Sequence, residues 1–122
     1  MEVKKNWEIK TETKKHILFA FLLALFYLAN AADYFTTKIA IPLGAIELNP
    51  IANYLMDLNW NYVTLLKFIF PIIPTYILLE HYRNGNEIYS FITAGFLALV
   101  FSVVSINNLL VIMQILNHYN YI

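Results

Sequence analysis

The sequence predicts an all-α fold: an integral membrane three-helix bundle with a short interfacial helix between helices one and two. Three observations lead there. Hydrophobic residues make up 60% of the 122 and charged ones 13%, where soluble domains carry about a quarter charged. The apolar residues gather into three runs, each near the roughly twenty residues needed to cross a bilayer. Lysines crowd the start: Lys4, Lys5, Lys10, Lys14 and Lys15 precede the first run, leaving only Lys38, Lys67 and Arg83 beyond it. At this length one domain fills the chain.

Residues 1–15 read as a cytoplasmic basic tail, with Trp7 suited to a headgroup layer, and residues 16–122 as a single membrane domain. No charge interrupts Ile17 to Ala29, and the first helix is expected at about 16–41, where Pro42 and Gly44 break it. The same segment imitates a secretory signal, with a basic region, an apolar core from Ile17 to Leu28, and the small-x-small tripeptide Ala29-Asn30-Ala31. The long basic region and the return of apolar character as far as Ile41 favour an uncleaved anchor.

Asn49 is placed to cap a short helix and Pro50 to begin it. Ile51, Tyr54, Leu55 and Leu58 recur at helical spacing, so a helix at about 50–58 should lie along the outer interface, too short to span. Trp60 and Tyr62 mark the next water–lipid boundary, and a second helix follows at about 60–80. Within it Pro71 and Pro74 lack N–H donors, so the carbonyls of Lys67 and Phe70 lose their usual partners and the helix should bend. The polar stretch 80–87 forms a turn, and the third helix runs over about 88–116. The lysine-rich tail, the 42–59 connection without Lys or Arg, and Arg83 in the 80–87 turn alternate as the positive-inside rule requires. The N-terminus is thus expected in the cytoplasm and the C-terminus outside the cell membrane.

Polar residues collect in the outer half. At about 1.5 Å per helical residue, Asp33 lies roughly 12 Å from the outer end of helix one and Lys67 roughly 10 Å from that of helix two. Burying either charge alone is costly, so these two are expected to pair. Lys38, near the interface, can snorkel outward instead. Asn30, Asp33 and Thr37 share a face of helix one, Asn107 and Asn108 sit at similar depth on helix three, and Glu47 and Asn49 lie just above. Together with Lys67 these form the candidate ligand-binding cluster, for a small ligand, ion or lipid headgroup. The simpler account is that the cluster only glues helices together.

An intramembrane enzyme or ion-translocating oligomer using Asp33, Glu47 and Lys67 is the competing reading, but no serine or cysteine nucleophile with a histidine partner accompanies them, and no catalytic residue is assigned. The chain has no cysteine, which removes disulfides and thiolate metal sites. His16 and His81 could share a metal near Glu80, yet two scattered histidines more often mark an interface. No metal or cofactor is expected. Glu2, Glu8 and Glu12 interleave the lysines, arguing against nucleic acid as a partner. The expected partner is the lipid bilayer, with a homo-oligomer or larger membrane complex left open. Ala94, Gly95, Ala98 and Ser102 form a small-residue stripe suited to close helix packing, either within the chain or with another copy.

The pattern Asn30-x-x-Asp33-x-x-Thr36-Thr37, then Gly44-x-x-Glu47-x-Asn49-Pro50, then Leu65-Leu66-Lys67 resembles the small prokaryotic membrane proteins grouped as domain of unknown function 5658, over about residues 25–115. The resemblance implies a compact three-helix membrane domain whose polar positions map to Asp33, Thr37, Glu47, Asn49, Pro50 and Lys67. It implies no established activity, substrate or cofactor.

Overall fold

The computed structural model describes residues 2–119, with side chains from residue 6 onward. The side chains of Lys4 and Lys5, and residues 120–122, lie outside the described residues. Among the described residues the chain is helical, without strands. Helix α1 spans Glu2–Ala40 and continues as a 3-10 turn at Ile41–Leu43; α2 spans Pro50–Leu58, α3 Trp60–Ile69, α4 Ile72–Arg83 and α5 Glu87–His118. Three helical stretches, Asn6–Leu43, Trp60–Arg83 and Glu87–His118, are long and apolar enough to cross a membrane.

Helix one starts at Glu2 rather than near 16, a correction to the sequence reading. Nothing in residues 2–15 breaks a helix, since the segment holds neither Gly nor Pro. Thr11 and Thr13 bond back to the carbonyls of Trp7 and Ile9, and Lys15 pairs with Glu12 one turn earlier. The polar segment is therefore an extension of α1.

Both bends between long helices are closed by glycine. Gly44 (φ 106°) and Gly85 (φ 93°) occupy the left-handed region, open to a residue without Cβ. In each case the two N–H groups at the turn return to the helix: Gly44 to Ile41 and Ala45 to Ala40, Gly85 to Tyr82 and Asn86 to His81. This pair of bonds is the Schellman closure, which satisfies carbonyls left over at a helix end. Between α2 and α3 a single extended residue, Asn59, does both jobs. Its N–H bonds Leu55 to end α2, and its side-chain oxygen caps α3 at Asn61.

Helix α1 packs most extensively on α5, while α3 lies against α1 and α4 against α5. The bend at Phe70–Pro71 separates α3 from α4, so the second apolar stretch follows two different neighbours. A stripe of small residues on α5 permits the close α1 contact: Ser90, Ala94, Ala98 and Ser105 are all buried. Ser105 Oγ donates across to the Ala29 carbonyl at 2.9 Å. The small-residue stripe is thus used within the chain through Ala94 and Ala98. A Cβ on Gly95 would meet nothing within 4 Å, so Gly95 belongs to a looser face.

At the end that carries the α4–α5 turn, Phe19, Leu23, Leu78, Tyr82 and Ala94 form the apolar core. Phe19 stacks on Tyr82 with centroids 4.2 Å apart, and Phe91 meets both edge-on. His16 Nδ1 lies 2.7 Å from the Tyr82 hydroxyl, giving that phenol the polar partner a buried tyrosine needs.

Ala94, at 0% exposure, and its neighbour Gly95 should respond oppositely to enlargement. Ala94→Leu is expected to destabilise by about 1–3 kcal/mol through overpacking, whereas Gly95→Ala should be neutral or slightly stabilising. Thermal unfolding of both variants followed by circular dichroism tests this; equal losses would show that α5 does not present the stripe to α1.

Candidate functional site

The geometry starts from two backbone gaps. Pro71 cannot donate to the Lys67 carbonyl, nor Pro74 to that of Phe70. The Phe70 carbonyl takes the Ile73 N–H at 3.1 Å instead, a tighter local turn. The Lys67 carbonyl is satisfied from another helix, by Asn30 Nδ2. One turn along α1, Asp33 Oδ2 pairs with the Lys67 ammonium. The Asn30-x-x-Asp33 spacing thus grips one residue of α3 at both its carbonyl and its side chain. Asn30 and Asp33 are buried, at 2% and 4% exposure, and the Lys67 side chain is mostly buried.

Helix α5 completes the cluster through Asn108. Its Nδ2 lies 2.9 Å from Asp33 Oδ1, 3.1 Å from Thr36 Oγ1 and 3.3 Å from Thr37 Oγ1. Thr37 also donates to Asp33 Oδ1 at 3.5 Å, and Thr36 to the Ala32 carbonyl at 2.7 Å. Both oxygens of Asp33 are therefore engaged, one by a cation and one by neutral donors. A second α1–α3 tie runs from the Tyr34 hydroxyl to Thr64 Oγ1 at 2.7 Å. Lys38 stays exposed above Tyr34, its Nζ 3.5 Å from the hydroxyl and 5.6 Å from the ring centroid.

Against this cluster lies a pocket of about 680 Å³, bounded by the last turns of α1, the 41–49 connection and α5. Asp33, Thr37, Glu47, Asn107 and Asn108 contribute its polar lining. The remaining wall is aliphatic, including Ile41, Ile46, Val103, Val104 and Val111. The volume is that of a site for a small organic molecule.

The eight residues singled out from sequence therefore divide. Asp33, Thr37 and Asn108 belong to both the polar cluster and the pocket, and Glu47 and Asn107 to the pocket. Asn30 and Lys67 stand behind the pocket, in the ion-pair cluster. Asn49 does neither: its side chain caps α2 through the N–H groups of Ile51 and Ala52, while its own N–H donates to Glu47 Oε1 at 2.8 Å. The Glu-x-Asn-Pro pattern is a turn that starts α2 and orients Glu47. Thr36 was missing from the candidate residues, although its place one residue before Thr37 in the Thr-Thr pair was a visible signal. Among the described residues no group of three or more His, Cys, Asp or Glu could hold a metal ion; His16 turns to Tyr82 instead.

If Asn30 substitutes for the donor that Pro71 lacks, the two positions must be coupled. Asn30→Leu should cost about 1–3 kcal/mol, the penalty for a buried carbonyl left without a partner. Adding Pro71→Ala, which restores an N–H four residues on, should recover most of it. Chemical unfolding of the single and double variants measures this, and additive losses would refute the pairing.

The family model described as Domain of unknown function (DUF5658) matches residues 15–114. None of the curated proteins or solved structures compared matches the chain. The match covers most of the sequence, and the chain belongs to that family.

Proposed function

We propose that this member of the DUF5658 family is a non-enzymatic binding or accessory protein of the cell membrane. It crosses the bilayer three times as a helical bundle, and its pocket opens outward to take a small ligand with a polar head and an apolar body. The observation that carries the reading is Asn107. It projects from the apolar helix α5 at the pocket wall, exposed and without a hydrogen-bond partner among the described residues. Interhelical glue requires that a polar side chain be satisfied by a neighbouring helix, as Asn108 is. Asn107 instead faces space, roughly 16 Å from the end of α5, where a ligand can use it.

The membrane reading is supported by three long apolar helices whose outer faces expose residues such as Phe21, Leu28, Ile69, Ile92 and Phe96. In water so continuous an apolar surface would aggregate. The charge pattern favours an N-terminus in the cytoplasm and, with it, the 42–59 connection and the pocket mouth outside. Enzyme or ion-translocation chemistry would need Asp33 or Lys67 free to exchange protons. Full engagement of Asp33 by Lys67, Asn108 and Thr37 favours a holding role for it.

Native mass spectrometry of the protein released gently from its own membrane tests the binding reading. A reproducible small adduct is expected on the wild type and should disappear in Val104→Trp, which fills the pocket, with helical content unchanged. A wild type that carries nothing, or a variant that keeps the adduct, would overturn it. Because the chain has no cysteine, orientation can be read from Asn53→Cys and Asn84→Cys. A membrane-impermeant maleimide added to intact cells should label the first and spare the second; the reverse pattern would invert the topology.

A further inference from the structure

We infer that the pocket selects an ammonium group, so that its ligand is an amphiphilic amine. This rests on the pocket reading above and adds the charge of the occupant. Two carboxylates line the pocket, Asp33 and Glu47, and no Lys, Arg or His does. Asp33 is already neutralised from behind by Lys67. Glu47 forms no ion pair among the described residues. Its Oε1 accepts the Asn49 N–H, and its Oε2 takes no hydrogen bond there. The pocket therefore carries one uncompensated carboxylate, held in position by the turn that starts α2.

This arrangement discriminates by sign. An anionic head would meet Glu47 with no cation on the wall to offset it, and a neutral head would leave that carboxylate unpaired. A primary ammonium offers three donors and no acceptor. Glu47 Oε2, Asn107 Oδ1 and the Thr37 hydroxyl are acceptors on the same lining, and hydrogen bonds to a charged group are the stronger kind. The volume, about 680 Å³, and the aliphatic wall formed by Val103, Val104, Val111 and Ile115 suit an alkyl body better than a bare cation. The ammonium could belong to a free amine or to the headgroup of an aminolipid, and the two sources share this chemistry.

The test is a native mass spectrometric titration of the full chain in nanodiscs of neutral phosphatidylcholine. The probes are n-dodecylamine, n-dodecanol, n-dodecyl phosphate and lysophosphatidylethanolamine. Dodecylamine should bind at least tenfold more tightly than the alcohol or the phosphate. Glu47→Gln should remove that preference while leaving dodecanol unchanged. Asn107→Leu, which leaves the 41–49 turn intact, should also weaken the amine. Retention of lysophosphatidylethanolamine with the same dependence on Glu47 would assign an aminolipid; retention of the amine alone would assign a free amine. Equal binding of amine and alcohol, both lost in Val104→Trp, would overturn the ammonium inference and spare the pocket. No probe retained by the wild type would overturn both.

Discussion

The structure depends on the pairing of Asp33 with Lys67. Both side chains are largely buried between helices, and leaving either there without its partner costs about 3–5 kcal/mol. Bringing them together sets α3 against α1 at one level and one rotation. The neighbouring bonds fit that setting. Asn30 reaches the carbonyl that Pro71 leaves open, Tyr34 reaches Thr64, and Asn108 brings α5 onto the other oxygen of the same carboxylate. No buried side-chain nitrogen or oxygen among the described residues is left without a partner. That completeness matters, since a buried pair stabilises only when its remaining hydrogen-bonding capacity is met.

The two ends of the molecule are held by different forces. Around Phe19, Tyr82 and Phe91 the contact is aromatic packing, reinforced by the His16–Tyr82 bond and by a partly exposed Lys15–Glu87 pair of small energetic weight. Around Asp33 it is a polar network beside a cavity. The small residues of α5 join the two, because Ala94, Ala98 and Ser105 let α1 approach closely along its length.

Much of this was legible in the sequence, and the rest was hidden for identifiable reasons. Hydropathy located the three long helical stretches, and helix-end chemistry located α2 through Asn49 and Pro50. Depth counting alone brought Asp33 and Lys67 to the same level. The extension of α1 back to Glu2 was not legible, because a polar segment without breakers reads equally as tail or helix. Nor was the bond from Asn30 to the Lys67 carbonyl, although both the proline gap and the asparagine were evident. Which side chain fills a backbone gap depends on how one helix is rotated against another. The separation of Asn107 from Asn108 has the same origin. Adjacent residues on a helix point about 100° apart, so only one of them could face Asp33.

A double-mutant cycle between Asp33→Asn and Lys67→Met, read as unfolding free energy in lipid, measures what the ion pair contributes. Each single change should be strongly destabilising and the double variant should recover much of the loss, with a coupling above about 2 kcal/mol, as expected for a buried pair whose single partners are left unpaired. A coupling near zero would contradict it: the helices would then be set by apolar packing alone, and the polar cluster would be a consequence of the fold.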